Sequence, residues 1–420
     1  MLFISPATYI AAVMFLCLMG FLYWAILRSM VNTPSETLPT VQFFSVFWIP
    51  VFFVVPLLTM RSIAGERRSS RFSALFQPIV TLTLFLTLVG FAGWAWNQGQ
   101  MAAIALVPIT GGLLVRLFVL QHDCGHRSFF TSNKANDLVG CLLGTLTLTP
   151  YFAWRRFHAI HHATSGDLDR RGRGGEIWVM TVAEYAKASR WDRLKYRMYR
   201  HPITLFVVGP LYIFGIVQRT FKDVPKTWKR ERANILFTNL GLAILHGGWL
   251  LSMGWQSYLA IVFPTVWLAS AAGIWLFYVQ HQYEDAYYQP KDEWNYALAA
   301  LDGSSHYRLP KVLQWFSGNI GLHHLHHLDS KIPNYRLEKV LAAHPELKAG
   351  VEINLWSSLK CSSMKLWDEE AGIMVKFPSQ EKLRSWEKNL TGDKVSPRSV
   401  EDSKKARASD PSKSDNFEAA

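Results

Sequence analysis

The sequence predicts an all-α protein, an integral membrane helical bundle with a cytoplasmic helical cap that carries a histidine-rich site for two metals. Three observations lead there. Apolar residues come in uncharged blocks long enough to cross a bilayer, Lys and Arg gather in some of the loops between the blocks and are missing from others, and the histidines cluster just beyond one end of the blocks.

The blocks come first. Of 420 residues, 50% are hydrophobic and 14% aromatic, which excludes disorder for most of the chain. A soluble protein of this length interleaves its apolar residues with charge. Here 74–96 (ALFQPIVTLTLFLTLVGFAGWAW) and 258–279 (YLAIVFPTVWLASAAGIWLFYV) contain no charged residue. Each is long enough to span about 30 Å of hydrocarbon as a helix. Six spans are expected, at 7–27, 41–60, 74–96, 101–120, 235–253 and 258–279. Two shorter apolar stretches lie at 138–152 and 203–218. The second contains Gly209-Pro210 and has basic residues on both flanks, which predicts a re-entrant or interfacial segment rather than a crossing. A mean hydropathy of only +0.08 requires that a large share of the chain lie outside the bilayer.

The loops set the orientation. Arg61, Arg67, Arg68 and Arg71 lie between the second and third spans, whereas the links 97–100 (NQGQ) and 254–257 (GWQS) carry no charge. By the positive-inside rule 61–73, 121–234 and everything after 280 face the cytoplasm. The same rule accounts for the formal net charge of +13, so no nucleic-acid partner is implied. Arg116, near the end of the fourth span, is expected to snorkel to the interface. The stretch 178–200 (WVMTVAEYAKASRWDRLKYRMYR) suits a helix lying on an anionic leaflet. The N-terminus lacks the basic region of a signal peptide. Cys17, Cys124, Cys141 and Cys361 are scattered without metal-ligand spacing and are expected to be reduced. The expected organisation is 1–68 as an extension with two transmembrane helices, 69–345 as the catalytic domain, 346–377 as a cytoplasmic segment and 378–420 as a disordered tail.

The histidines carry the chemistry. Of 14, nine fall into four groups: His122 and His126; His158, His161 and His162; His281; and His323, His326 and His327. On a helix, positions i, i+3 and i+4 share a face, so HxxxH offers two imidazoles and HxxHH three to one point. Neutral imidazole suits Zn, Cu, Fe and Ni. One metal cannot use so many ligands, but two can. His201, His246, His306 and His344 read as ordinary interfacial residues, and His324 is expected to point away from the group around it.

With these boxes in place the chain resembles the membrane fatty acid desaturase family, whose pattern is HxxxH, HxxHH and HxxHH around a di-iron centre. The likeness extends to HDCGHRSFF (122–130), WRRFHAIHHATSGDLDRRG (154–172), LFYVQHQYED (276–285) and GSSHYRLPKVLQWFSGNIGLHHLHHLDSKIPNYRL (303–337), which are similar to the bacterial acyl-lipid branch. It covers roughly 70–345. The resemblance implies that His122, His126, His158, His161, His162, His323, His326 and His327 hold two Fe ions, with His281 as a ninth ligand. It implies no catalytic residue beyond that centre. The acyl-CoA branch has an Asn ligand four residues before the counterpart of His281, where this chain has Phe277.

The implied reaction is the oxygen-dependent introduction of a cis double bond into the acyl chain of a membrane lipid, in a multi-pass protein of the bacterial inner membrane with its active site on the cytoplasmic side. Removing hydrogen from an unactivated methylene needs an oxidant that no side chain supplies, so metal and O2 must provide it. No His-Pro-Gly-Gly segment of a fused cytochrome b5 domain is present, so electrons are expected from an external ferredoxin-like donor. Carboxylates able to orient the ligands are Glu284, Asp329 and Asp167, ahead of Asp123, Asp169 and Asp285, each with a competing reading as a solvated loop charge. Two other functions share the features: a di-iron hydroxylase or ketolase acting on a lipid or carotenoid, and a metal transporter. A transporter would place ionisable groups at span midpoints, and none of the predicted spans has Asp or Glu there.

Overall fold

The computed structural model describes residues 65–67, 69–349 and 351–391. The expected spans 7–27 and 41–60, Cys17 and the segment 392–420 lie outside them.

Helix α1 (Arg71–Asn97) starts at Ser70, whose hydroxyl accepts the Ser73 amide at 3.3 Å. Its inward face is mostly small residues, among them Ala74, Ala92, Gly93 and Ala95, with Phe85 and Val89 between them, while Phe72, Phe76, Ile79, Leu86 and Phe91 stand exposed. Large apolar side chains outside and small ones inside are the arrangement of a helix packed in lipid. A 3₁₀ turn at Met101–Leu106 leads into α2 (Val107–Gly125). This is the central helix, packed against α1, against α3 (Asn133–Leu146) and against a later helix. Helix α4 (Tyr151–Thr164) follows a turn in which Leu148 takes a positive φ of 57°.

The interfacial helix expected over 178–200 is instead strand β1 (Met180–Thr181), helix α5 (Val182–Lys187) and helix α6 (Arg190–Tyr199). Thr181 and Glu184 form a reciprocal capping box that starts α5, and Ser189 restarts the chain as the cap of α6. Only α6 keeps the amphipathic character, with Trp191, Leu194 and Met198 exposed along one stripe. Segment 203–218 becomes a π-helical turn (Thr204–Val208), α7 (Gly209–Gly215) and a 3₁₀ turn (Val217–Arg219), bent by 54° from α6.

Helix α8 (Lys229–Ser257) and helix α9 (Phe263–His281) are joined by a π-helical turn into one run of 53 residues. Left straight, it would reach about 80 Å. Gly254, at φ 81° and ψ 164°, breaks it. Beyond the break Ser257 takes the Trp249 indole N–H at 3.0 Å and Tyr258 pairs with His246 at 3.0 Å, so the chain folds back on itself. Thr110 and Thr265 share a 2.8 Å hydrogen bond that ties α2 to α9. Among the described residues three helices, Arg71–Asn97, Met101–Gly125 and Lys229–His281, are long and apolar enough to cross a membrane, or four if the bent pair Arg190–Tyr199 and Thr204–Arg219 is one span.

The cap is built from short pieces: α10 (Tyr296–Leu301), β2 (His306–Arg308), α11 (Lys311–Phe316), α12 (His323–Leu328), α13 (Asn334–Ala343), β3 (Glu352–Asn354), α14 (Leu355–Cys361), β4 (Leu366–Asp368), β5 (Ile373–Val375) and α15 (Gln380–Thr391). Among the described residues the strands form a β1-β4-β5 sheet and a β2-β3 pair. Arg200 is fully buried where cap meets bundle, donating to Gln282 Oε1 at 2.8 Å, Met364 O at 2.9 Å and Tyr278 OH at 3.2 Å.

Three expectations change. Arg116 does not snorkel. It is buried, donating to Thr81 Oγ1 at 3.3 Å, Gln77 Oε1 at 3.0 Å and the Trp315 carbonyl, with its guanidinium 4.3 Å from the Trp315 ring. Within the stretch expected to be disordered, 380–391 forms a helix, with Leu383 buried and Glu387 paired to Arg193 at 2.7 Å. The amphipathic interfacial segment is confined to α6, because the caps at Thr181 and Ser189 divide it. Cys124, Cys141 and Cys361 are free thiols, as expected.

Candidate metal centre

Four helices deliver the nine histidines. The last turn of α2 carries His122, with His126 as its C-cap. The C-terminal half of α4 carries His158, His161 and His162, the last residue of α9 is His281, and α12, with four histidines in six residues, carries His323, His326 and His327. Close approach between α2 and α4 depends on Gly125, where a Cβ would meet the Trp154 ring at 2.7 Å. Trp154 in turn stacks on His158, with centroids 4.5 Å apart at 18°.

The imidazoles sort into two groups. Group one is His122, His126, His158, His162 and His326, and group two is His161, His281, His323 and His327; within each, the donor atoms all lie within 4.8 Å of one another. The groups abut, since His162 and His327 stack at 4.1 Å. In group one, Nε2 of His158 lies 3.0 Å from that of His122 and 3.1 Å from that of His162, which is 3.1 Å from that of His326. In group two, Nε2 of His281 lies 3.1 Å from that of His161 and 3.0 Å from that of His323. A first-row cation binds imidazole at about 2.0–2.1 Å, so two such ligands at a right angle sit about 3 Å apart. The spacing between nitrogens is the edge of a coordination polyhedron. His126 Nε2 and His327 Nε2 are buried without a protein partner, as atoms reserved for a cation would be.

The protonation states agree. Burial, reinforced by repulsion from neighbouring imidazoles, pushes His126, His158, His161, His162, His323, His326 and His327 well below the ordinary histidine value. They are neutral at physiological pH, the form that ligates metal.

Two ligands are oriented from behind. His122 Nδ1 faces Asp123 Oδ1 at 3.2 Å, and Asp123 Oδ2 accepts the backbone N–H of Asn334 at 2.7 Å and its side-chain amide at 2.9 Å. His281 Nδ1 donates to the Gly303 carbonyl at 3.1 Å. Such contacts fix the tautomer and turn the Nε2 lone pair to the centre.

The other predicted carboxylates behave differently. Glu284 is exposed, because the chain after His281 turns Tyr283 inward and Glu284 outward. Asp167 is buried, but its oxygens hold the Asp169 and Arg170 amides at 2.9 and 3.2 Å and the Arg170 guanidinium, which makes it a loop carboxylate. Both expectations fail on the direction of the local turn. Asp329 is buried at the end of α12 and accepts the Lys331 amide at 3.1 Å. Asp169 accepts the Lys291 amide at 3.0 Å, and Asp285 is exposed. His324 points away from both groups, to the Leu347 carbonyl at 3.1 Å. Phe277 packs on His161 and His281 with centroids 5.0 and 5.3 Å away, an apolar wall beside group two. Asn334, Trp154 and the Gly303 carbonyl had no signal in the sequence, except that Trp154 sits one helical turn before His158.

The sequence profile described as fatty acid desaturase matches residues 100–355, the stretch that carries all nine histidines. The chain belongs to the fatty acid desaturase family. This desaturase is 42% identical to a fatty acid desaturase of Bacillus subtilis (strain 168) over 317 residues, 76% of this chain and 89% of that one. It is 28% identical to the sn-1 oleoyl-lipid 12-desaturase of Anabaena variabilis, over 60% of this chain and 72% of the relative. It is also 28% identical to the sn-1 acyl-lipid omega-3 desaturase (ferredoxin) of Synechocystis, over 64% and 76%. The desaturase is therefore an oxidoreductase of fatty acid metabolism, associated with the membrane through its apolar helices, with histidine clusters suited to metal.

Proposed function

We propose that the protein is an oxygen-dependent di-iron desaturase that places a cis double bond in the acyl chain of a membrane lipid. In this reading it is a multi-pass protein of the bacterial inner membrane with its metal centre on the cytoplasmic side, supplied with electrons by a ferredoxin-like carrier. The observation that carries the reading is the pair of abutting imidazole groups, nine imidazoles in two sets at polyhedron-edge spacing.

His122, His126, His158, His162 and His326 would hold one iron, and His161, His281, His323 and His327 the other. The di-iron centre supplies the oxidising power to remove two vicinal hydrogens. The chain's own residues do the rest. Asp123, held by Asn334, and the Gly303 carbonyl keep His122 and His281 in the ligating tautomer. Phe277 and Trp154 keep the faces of the two groups apolar and exclude water from a reactive centre. Phe277 stands where the acyl-CoA branch of the family has an Asn ligand, which supports a lipid-linked acyl chain as substrate, as do the relatives whose names specify acyl-lipid substrates.

The test is the fatty acid profile of membranes from a bacterium without desaturases of its own, expressing the protein or its His161→Ala variant, with a ferredoxin and its reductase supplied. New double bonds that vanish in the variant, with about two irons per chain in the purified protein, are the expected result. A product heavier by one oxygen would mean hydroxylation, and a protein that retains no iron would end the di-iron reading.

A further inference from the structure

The two histidine groups differ in how close they come to the surface. All four residues of group two are buried, whereas His126 and His162 of group one keep a partly exposed edge. On α4, Arg155, Ala159, His162 and Ala163 share one face, and both alanines are exposed, so nothing bulky from that helix covers His162. Exposed Lys331 donates from Nζ to the backbone carbonyl of His126 at 2.6 Å, which puts a surface cation in contact with a residue of the cluster. Arg127 and Arg155 flank the same edge and converge on Asp137 at 3.4 and 3.1 Å. Asp123 and Asp329, two further carboxylates nearby, are buried, the first accepting from Asn334 and the second from the Lys331 amide. The rim thus presents Arg127, Arg155 and Lys331 against Asp137.

We propose that this rim is the docking surface of the electron carrier, a small one-electron protein with an acidic face, and that electrons enter at group one across His126. The proposal rests on the di-iron reading and adds the place of entry. Two carriers each lose one electron per turnover. With the two substrate hydrogens and two protons from water, these electrons reduce one O2 to two waters. Complementary charge steers such encounters and makes them sensitive to salt.

A lipid surface is the competing partner for cations beside a membrane, and the structure provides the control. Lys134 shares a face of α3 with exposed Leu138 and Leu142, the pattern of a residue in contact with lipid. In nanodiscs, the affinity of an acidic plant-type ferredoxin for the full chain is measured across ionic strength, with and without metal, beside the rate at which the loaded protein oxidises reduced ferredoxin. For Lys331→Glu we expect at least ~10-fold weaker binding at low salt and a shallower salt dependence, with Lys331→Gln intermediate and Lys134→Glu like the wild type. Ferredoxin binding that Lys331→Glu leaves unchanged, or that Lys134→Glu weakens equally, overturns the proposal, and so does a wild type that binds no ferredoxin. Failure of Lys331→Glu to accept electrons from a small neutral reductant also overturns it, since Lys331 would then support the metals rather than the carrier. If instead the di-iron reading is wrong, the wild type oxidises no ferredoxin, yet charge-dependent binding to the metal-free chain persists.

Discussion

Group one and group two are built from the same side chain but in different surroundings. Group one has five imidazoles, an edge near the surface, and a carboxylate behind His122 that is itself held by Asn334, 211 positions away in sequence. Group two has four imidazoles, lies wholly buried, and is backed by a neutral carbonyl and walled by Phe277. An anionic partner raises the basicity of a ligand more than a carbonyl does. On the di-iron reading the contrast would divide the labour: one metal position backed by an anion and near the surface, the other buried behind an apolar wall.

The sharpest way to break that contrast is to remove one ligand from each side. His161→Ala should cut desaturation by at least ~100-fold and lower retained metal from two per chain to about one; His158→Ala should do the same from group one. Metal analysis beside lipid analysis decides it. If either change empties both positions, the groups are one cooperative site and the division fails. Acidification comes next. The seven buried imidazoles named above have depressed values in the folded state, so the unfolded chain takes up more protons and stability falls as pH drops. The contribution is complete above the unfolded value of about 6.5 and is lost progressively below it. Metal-free protein in detergent should lose several kcal/mol between about pH 6.5 and 5, read as a falling Tm, and metal should be released over the same window. A flat Tm would mean that the imidazoles are not buried as described.

A subtler probe acts on the backing groups. Asn334→Ala removes one donor from a buried carboxylate and should weaken metal binding at group one about 10–100-fold while group two keeps its metal. Chelator titration measures the two separately, and equal weakening at both would dissolve the distinction. The smallest effect is expected for Phe277→Asn, which places an amide oxygen beside group two and should slow metal loss from it by about tenfold or less.

Much of this was legible before any coordinates. Periodic HxxxH and HxxHH spacing places imidazoles on a common face whatever the surroundings, so the nine residues and their convergence were readable, as were the long apolar helices α1, α2, α8 and α9. The failures share a cause. Glu284 and Asp167 were chosen for being near ligands in sequence, but orientation is set by the turn each residue occupies, and one turned outward while the other closed its own loop. Asn334 and the Gly303 carbonyl reach the centre through tertiary contact alone. The helix at Gln380–Thr391 was hidden because charge dominates its composition, and its buried Leu383 and paired Glu387 count only once a partner surface exists.

Arg116 carries one further consequence, for the order in which the molecule assembles. Its guanidinium is satisfied by the carbonyl of Trp315, 199 residues downstream. At a synthesis rate of about 5–20 residues per second, that partner follows roughly 10–40 s later. A newly inserted α2 therefore has Thr81 and Gln77 of α1 to meet two of its guanidinium nitrogens, and waits for the partner of the third. The packing around that guanidinium is complete only once the chain has been translated through α11, so a piece of the cap, just ahead of the third histidine box, is also the latch of the bundle.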